Sequence, residues 1–168
     1  QLDQKVFEFG KVYAKTETGY SESYTLSLMA CGKKQETSWQ GPVSNVDFFF
    51  LKSMLTNVLT VCGIKSDDLT VKESENPVFS YGLTYFSGTK VLVEIGAVKS
   101  SVLKKFDLSD VFSCSFNWDL VIRKAKKKAV QYQEVSKFPA VKRDLSMMVD
   151  VATSFSKIEE IAFKSERK

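Results

Sequence analysis

A chain of 168 residues that is 43% hydrophobic and 26% charged has the make-up of a globular protein, which excludes a disordered, collagen-like or coiled-coil polymer. It has no histidine at all, so Ser-His-Asp, Cys-His and HExxH chemistry is closed to it. Arginine is nearly as scarce, present only as Arg123, Arg143 and Arg167, and the net charge of +4 is therefore carried by lysine, more often a solubilising surface charge than a polyanion groove.

The length is enough for one sizeable core without staples. The three cysteines, Cys31, Cys62 and Cys114, are spread out with no CxxC, which suits small buried thiols in a reducing compartment better than a disulfide framework or a zinc site. A cytoplasmic location is expected. No apolar run approaches the roughly 18 residues of a membrane span. The polar start from Gln1 to Gln4 is neither a signal peptide nor an initiator methionine, as expected of a piece excised from a longer chain.

Lys5 to Tyr13 alternates as a strand with a bulge or bend expected at Gly10, and Tyr24 to Ala30 alternates as a second strand ending at Gly32. Gly41, Pro42, Ser44 and Asn45 form a loop, and the Ser44 to Asp47 spacing resembles a capping box opening a helix. Phe48, Leu51, Leu55, Val58, Leu59 and Cys62 recur at steps of three and four, so a long amphipathic helix is predicted, closed by Gly63. Leu69 to Lys72, Ser80 to Phe86 and Lys90 to Val98 are predicted strands, the last two joined by a hairpin turn at Ser87, Gly88 and Thr89. A helical turn at Val102, Leu103 and Phe106 precedes a half-buried strand from Val111 to Trp118. Trp118, Val121, Ile122, Ala125 and Ala129 then predict a helix with Asn117 as its N-cap. After Pro139, Leu145, Met147, Val149 and Val151 alternate as a strand, and Phe155, Ile158, Ile161 and Ala162 open a last helix.

Three blocks carry a resemblance. Phe7-Glu8-Phe9-Gly10-Lys11-Val12, Trp39 and Asp47-Phe48-Phe49-Phe50-Leu51-Lys52 occur in the order found in the C-terminal core of the phenylalanyl-tRNA synthetase β subunit. The closing block, Lys137-Phe138-Pro139-Ala140-Val141-Lys142-Arg143-Asp144-Leu145 with Val149-Asp150, resembles the opening strand of that family's ferredoxin-fold anticodon-binding domain. The resemblance implies an α+β fold: an antiparallel sheet flanked by helices, like a class II aminoacyl-tRNA synthetase catalytic domain but without a working site. It implies a catalytic-like core over residues 1–135 and a truncated β-α start of the ferredoxin-like domain over 136–168.

The implied function is structural support, within a cytoplasmic two-plus-two heterotetramer, for a ligase of protein biosynthesis that joins phenylalanine to its tRNA. ATP and magnesium serve the whole enzyme at the partner α subunit, and this fragment alone is expected to be inactive, with no catalytic, cofactor-binding or metal residues. Neither Arg123 nor Arg143 lies in the setting of the arginines with which class II enzymes hold ATP. Two stretches depart from many relatives: Glu75 to Phe79 lacks a His-Pro-Gly-Arg-Ser-like sequence, and Glu94 to Val98 lacks a Gly-Glu-Leu-His-Pro-like one.

Two groups of residues are candidates for binding. Lys142 and Arg143 belong to the segment that resembles the anticodon-binding domain, and are expected to contact tRNA unless Arg143 and Asp144 only pair locally. Phe48, Phe49 and Phe50 cannot all face one side of a helix, so part of this run is expected to meet the α subunit. The basic stretch Arg123, Lys124, Lys126, Lys127 and Lys128 is expected to be the solvated end of a helix, complementing its dipole, and Glu159 and Glu160 the favoured first turns of another. Asp67 and Asp68 are expected as turn residues. The rival reading is a free-standing RNA-binding module whose lysines and aromatics form a groove on an antiparallel sheet; steep salt dependence of tRNA binding would mark it.

Overall fold

The computed structural model describes residues 3–36, 39, 43–125, 132, 134, 137–139 and 141–165, without the side chain of Asp67. Gly41, Pro42, Lys126, Lys127, Lys128, Ala129, Ala140 and Arg167, singled out above, lie outside the described residues. The chain forms two compact units, Gln1–Val130 and Gln131–Lys168.

The first unit is built on an antiparallel sheet of six strands: β1 (Gln4–Thr16), β2 (Gly19–Cys31), β3 (Thr70–Glu73), β4 (Phe79–Ser87), β5 (Lys90–Val98) and β6 (Phe112–Asn117). Their order across the sheet is β1-β2-β6-β5-β4-β3. Strands β1 and β2 pair one to one from Gln4↔Cys31 to Thr16↔Gly19, leaving a loop of only Glu17 and Thr18. The bulge expected at Gly10 is therefore absent: a bulge needs an extra residue on one strand, and Gly10 lies directly opposite Thr25. The hairpin runs beyond the hydrophobic alternation because its tip is exposed on both faces, where the ladder of backbone hydrogen bonds continues without an apolar pattern.

Alternation decides what each face carries. Leu26, Leu28 and Ala30 of β2 stand beside Phe116, Cys114 and Phe112 of β6, and these beside Val93, Ile95 and Ala97 of β5. On this apolar face lie α1 (Phe48–Val61), through Leu51, Leu55 and Leu59, and α3 (Trp118–Ala125), through Val121. The short α2 (Ser100–Leu103) packs Leu103 with Cys31 and Val111 in a second, smaller cluster.

Helix α1 starts later than the Ser44 to Asp47 capping box implies. Asp47 has extended backbone angles and is itself the N-cap, its carboxylate accepting the Phe50 N–H at 2.7 Å. The helix ends as expected. Gly63 has φ of +69°, and the Gly63 and Ile64 N–H groups donate back to the carbonyls of Thr60 and Leu59 at 2.9 and 2.8 Å, a Schellman closure with Ile64 buried. The β4–β5 turn also forms as expected, with Gly88 at φ +65°. Asn117 caps α3, its side-chain oxygen accepting the Leu120 N–H at 3.2 Å.

In the second unit, α4 (Phe155–Ser165) forms where the helical spacing predicts it. The strand expected through Leu145, Met147, Val149 and Val151 does not form: residues 141–150 carry no regular structure. A strand is held by the neighbour it pairs with, and among the described residues no strand pairs with this segment.

Candidate functional site

The phenylalanine run at the start of α1 divides by direction. Phe48 and Phe50 are half-buried against the core, and the Phe48 ring lies 5.7 Å from that of Tyr81. Phe49 turns outward, 73% exposed, with the Phe48 ring edge-on at 6.0 Å as its aromatic neighbour among the described residues. The start of the helix is fixed by charge as well as by the cap, since Lys34 Nζ donates to the second oxygen of Asp47 at 2.7 Å. The Lys34 ammonium, and after it the Phe50 N–H, hold the Asp47 carboxyl below the usual carboxylate range.

Beside this run lies an apolar groove of about 280 Å³ between α1 and the β1–β2 edge of the sheet. Phe7, Met29, Phe50, Met54 and Val58 are among the residues lining it, and Phe7 is 75% exposed. Sequence reasoning put Phe7 in a strand without linking it to the helix. The signal was present in the alternation, which sets Phe7 on the same face as Leu28, its partner across the ladder.

Lys142 and Arg143 are exposed in the second unit, in the segment without regular structure. Arg123 and Lys124 sit at the end of α3, where the Arg123 Nε donates to the Asp119 carbonyl and Lys124 Nζ to the Asp68 carbonyl at 3.5 Å. Glu160 pairs with Lys164 one turn along α4, and that ammonium holds its carboxyl below the usual range. Cys31 and Cys114 are buried and Cys62 half-buried. Burial pushes the Cys62 and Cys114 thiols up, away from the reactive thiolate form. Among the described residues no three acidic or cysteine side chains gather as a metal site, and no helix is long and apolar enough to cross a membrane.

The family profile described as the phenylalanyl tRNA synthetase beta chain CLM domain matches residues 1–118. The phenylalanine–tRNA ligase beta subunit of Bacteroides thetaiotaomicron is 35% identical over 177 residues, covering 99% of this chain and 22% of that one. The chain belongs to the phenylalanyl-tRNA synthetase beta-chain family. The corresponding subunit of Thermotoga maritima is 29% identical over 170 residues, covering 97% of this chain. The chain thus spans about a fifth of the length of the curated relatives it matches, 22% for the Bacteroides subunit. Among solved structures, a pyrrolysyl-tRNA synthetase from Desulfitobacterium hafniense superposes with a TM-score of 0.54 at 18% identity, over 75% of this chain and 43% of that one. A second crystal structure of a pyrrolysyl-tRNA synthetase from that organism gives 0.52 at 17% identity. The fold of the first unit is accordingly that of class II aminoacyl-tRNA synthetases.

Proposed function

We propose that the chain is a non-catalytic structural module of a phenylalanyl-tRNA synthetase β subunit, lending shape to the α subunit that joins phenylalanine to tRNA. One observation carries this reading: the six strands of a sheet with the class II fold contain no arginine and no histidine. Activating an amino acid with ATP requires stabilising a pentavalent phosphate carrying several negative charges, for which the planar guanidinium fork is the best-suited side chain. Arg123 lies on α3 and Arg143 in the second unit, off the strands.

In this reading ATP and magnesium are held by α. The chain meets α through the outward Phe49 and the adjoining groove, within a cytoplasmic two-plus-two heterotetramer. Phe48 and Phe50 serve mainly to seat the helix. Residues 136–168 are the start of a ferredoxin-like anticodon-binding domain whose first strand forms only beside its partner strands, with Lys142 and Arg143 near tRNA phosphates. The match to the Bacteroides thetaiotaomicron subunit runs over 99% of the chain, which supports treating both units as one family segment.

ATP–pyrophosphate exchange with phenylalanine tests the proposal. The purified chain should show no exchange, and an α chain purified separately should bind it. Exchange by the chain alone would overturn it. Binding of tRNA that falls steeply between low and moderate salt, with no binding of α, would instead favour an independent RNA-binding module.

A further inference from the structure

The sheet ends differently at its two edges. β3 is four residues long and carries Lys72 and Glu73, so it offers a strand from elsewhere little length and a charged rim. β1 is thirteen residues long, without proline or bulge, and among the described residues no strand pairs with its outer side. Val6, Phe7, Phe9, Val12 and Tyr13 along it are each at least 50% exposed. Edges of natural sheets are shortened, charged, bulged or covered, because a long flat apolar edge presents a full row of backbone donors and acceptors to any extended chain. The lysines of β1 do not close it. Lys11 is folded back on its own hairpin, donating to Glu22 at 3.0 Å with its ammonium over the Tyr24 ring, and Lys5 and Lys15 stand near the two ends of the strand.

We infer that β1 pairs antiparallel with β1 of a second copy of this chain, joining two six-stranded sheets edge to edge about a two-fold axis at Phe9. Charge selects this occupant and this register. In a two-fold antiparallel pair each residue meets the one equally far beyond the axis on the other copy. Centred on Glu8 or on Lys11, the pair would set that residue against its own like charge, and centred on Gly10 it would set Lys5 against Lys15. Centred on Phe9, it runs over residues 4–14 with no like charges opposed: Phe9 meets Phe9, Val6 meets Val12, Lys5 meets Tyr13 and Phe7 meets Lys11. The apolar faces of both sheets then lie on one side, and the exposed Phe7 is covered by the aliphatic stem of Lys11, whose ammonium Glu22 already holds. The inference does not depend on the reading of the chain as a scaffold, since Phe49 lies on α1 and not on this edge.

The test uses the whole chain. Sedimentation velocity at rising protein concentration should show a reversible dimer, and amide hydrogen exchange in the same samples should slow along β1 as the dimer forms while β3 is unchanged. Phe7→Lys opposes Lys11 with a like charge twice in each dimer and should weaken association about tenfold. Phe7→Glu is just as polar but meets Lys11 with the opposite charge, and it should associate more tightly than Phe7→Lys. Phe7 is 75% exposed, so both variants should keep the fold, checked by unchanged exchange at Leu55 in α1. Should either fail that check, the exchange pattern of the unsubstituted chain decides alone. A chain that stays monomeric at millimolar concentration, a dimer whose slowed amides lie in α1 or β3 instead of β1, or equal weakening by Phe7→Lys and Phe7→Glu would each overturn the assignment.

Discussion

The two faces of the sheet are made by the same strands and differ in almost everything else. On one face Val93, Ile95, Cys114 and Phe116 are fully buried beneath Leu51, Leu55 and Leu59 of α1. On the other, Ser27, Ser115, Glu94 and Thr84 form a polar row, and the packing that exists there depends on the absence of a side chain at particular places. One face is stabilised by apolar area and the other by close approach, so they should fail in different ways. The largest effect is expected on the first. Leu55 is completely buried, and Leu55→Ala should lower unfolding free energy by about 2–5 kcal/mol, measured by urea denaturation. A loss much below that range would mean that α1 relaxes freely onto the sheet and that the apolar face is not close-packed.

The second face is broken by addition. Gly96 lies beneath Phe79, and a methyl group built on it would come within 2.4 Å of the Phe79 ring and 2.8 Å of the Tyr81 carbonyl. Neither can yield easily, since Phe79 is only 9% exposed and Tyr81 is part of the β4 ladder. Gly96→Ala should therefore cost about 1–3 kcal/mol by overpacking, although it adds apolar area. If the substitution were neutral, Phe79 would have to swing out over the open face, and its fluorescence or aromatic resonances would report that movement.

The contrast between the faces also accounts for how much could be foreseen. The strands of the centre, α1, α3 and α4 were legible because their apolar residues recur at two or at three and four, as in Phe112, Cys114 and Phe116. The hairpin tip beyond Tyr13 was not, since a solvated ladder leaves no hydrophobic trace. The start of α1 was misplaced by three residues' worth of capping grammar, because Ser44 and Asp47 fit a box by spacing alone whereas the extended angles at Asp47 make it the cap. The strand near Leu145 failed for the opposite reason: alternation was present, but pairing is a property of a neighbour and not of the segment. Of the candidate site, the division of Phe48, Phe49 and Phe50 between core and solvent followed from helix geometry. The groove shared with Phe7 required the sheet order, which no single segment encodes.

A smaller effect is expected where helix α1 is tied to the β2 end of the sheet. Asp47→Ala removes the cap and should cost about 1 kcal/mol at neutral pH. Asp47→Asn keeps an acceptor for the Phe50 N–H and should cost less, because the Lys34 pair is partly exposed and adds little beyond the cap. The two differ in acid. The folded-state carboxyl is held below its unfolded value, so its contribution is complete above about pH 4 and fades as pH falls through the lower folded value. Urea midpoints between roughly pH 4 and pH 2 should then decline less in the Asp47→Asn protein than in the parent. Equal slopes would show that other carboxylates govern the acid limb.

The smallest effect on stability, and the most informative about function, belongs to Phe49. Its ring is 73% exposed and touches mainly the edge of Phe48, so little apolar area is buried in the isolated chain. Phe49→Ser should change unfolding free energy by no more than about 0.5 kcal/mol in either direction. An aromatic side chain that becomes the centre of an interface contributes far more on binding than on folding, and the same change should weaken association with the synthetase α chain by about 1 kcal/mol or more, at least roughly fivefold. Phe50→Ser is the necessary counterpart, because Phe50 is packed against the core and its loss should reduce stability as well as binding. If Phe49→Ser binds α as tightly as the parent while Phe50→Ser binds less tightly only in proportion to its loss of stability, the start of α1 is a buttress for the apolar face alone, and the partner surface must be sought elsewhere on the chain.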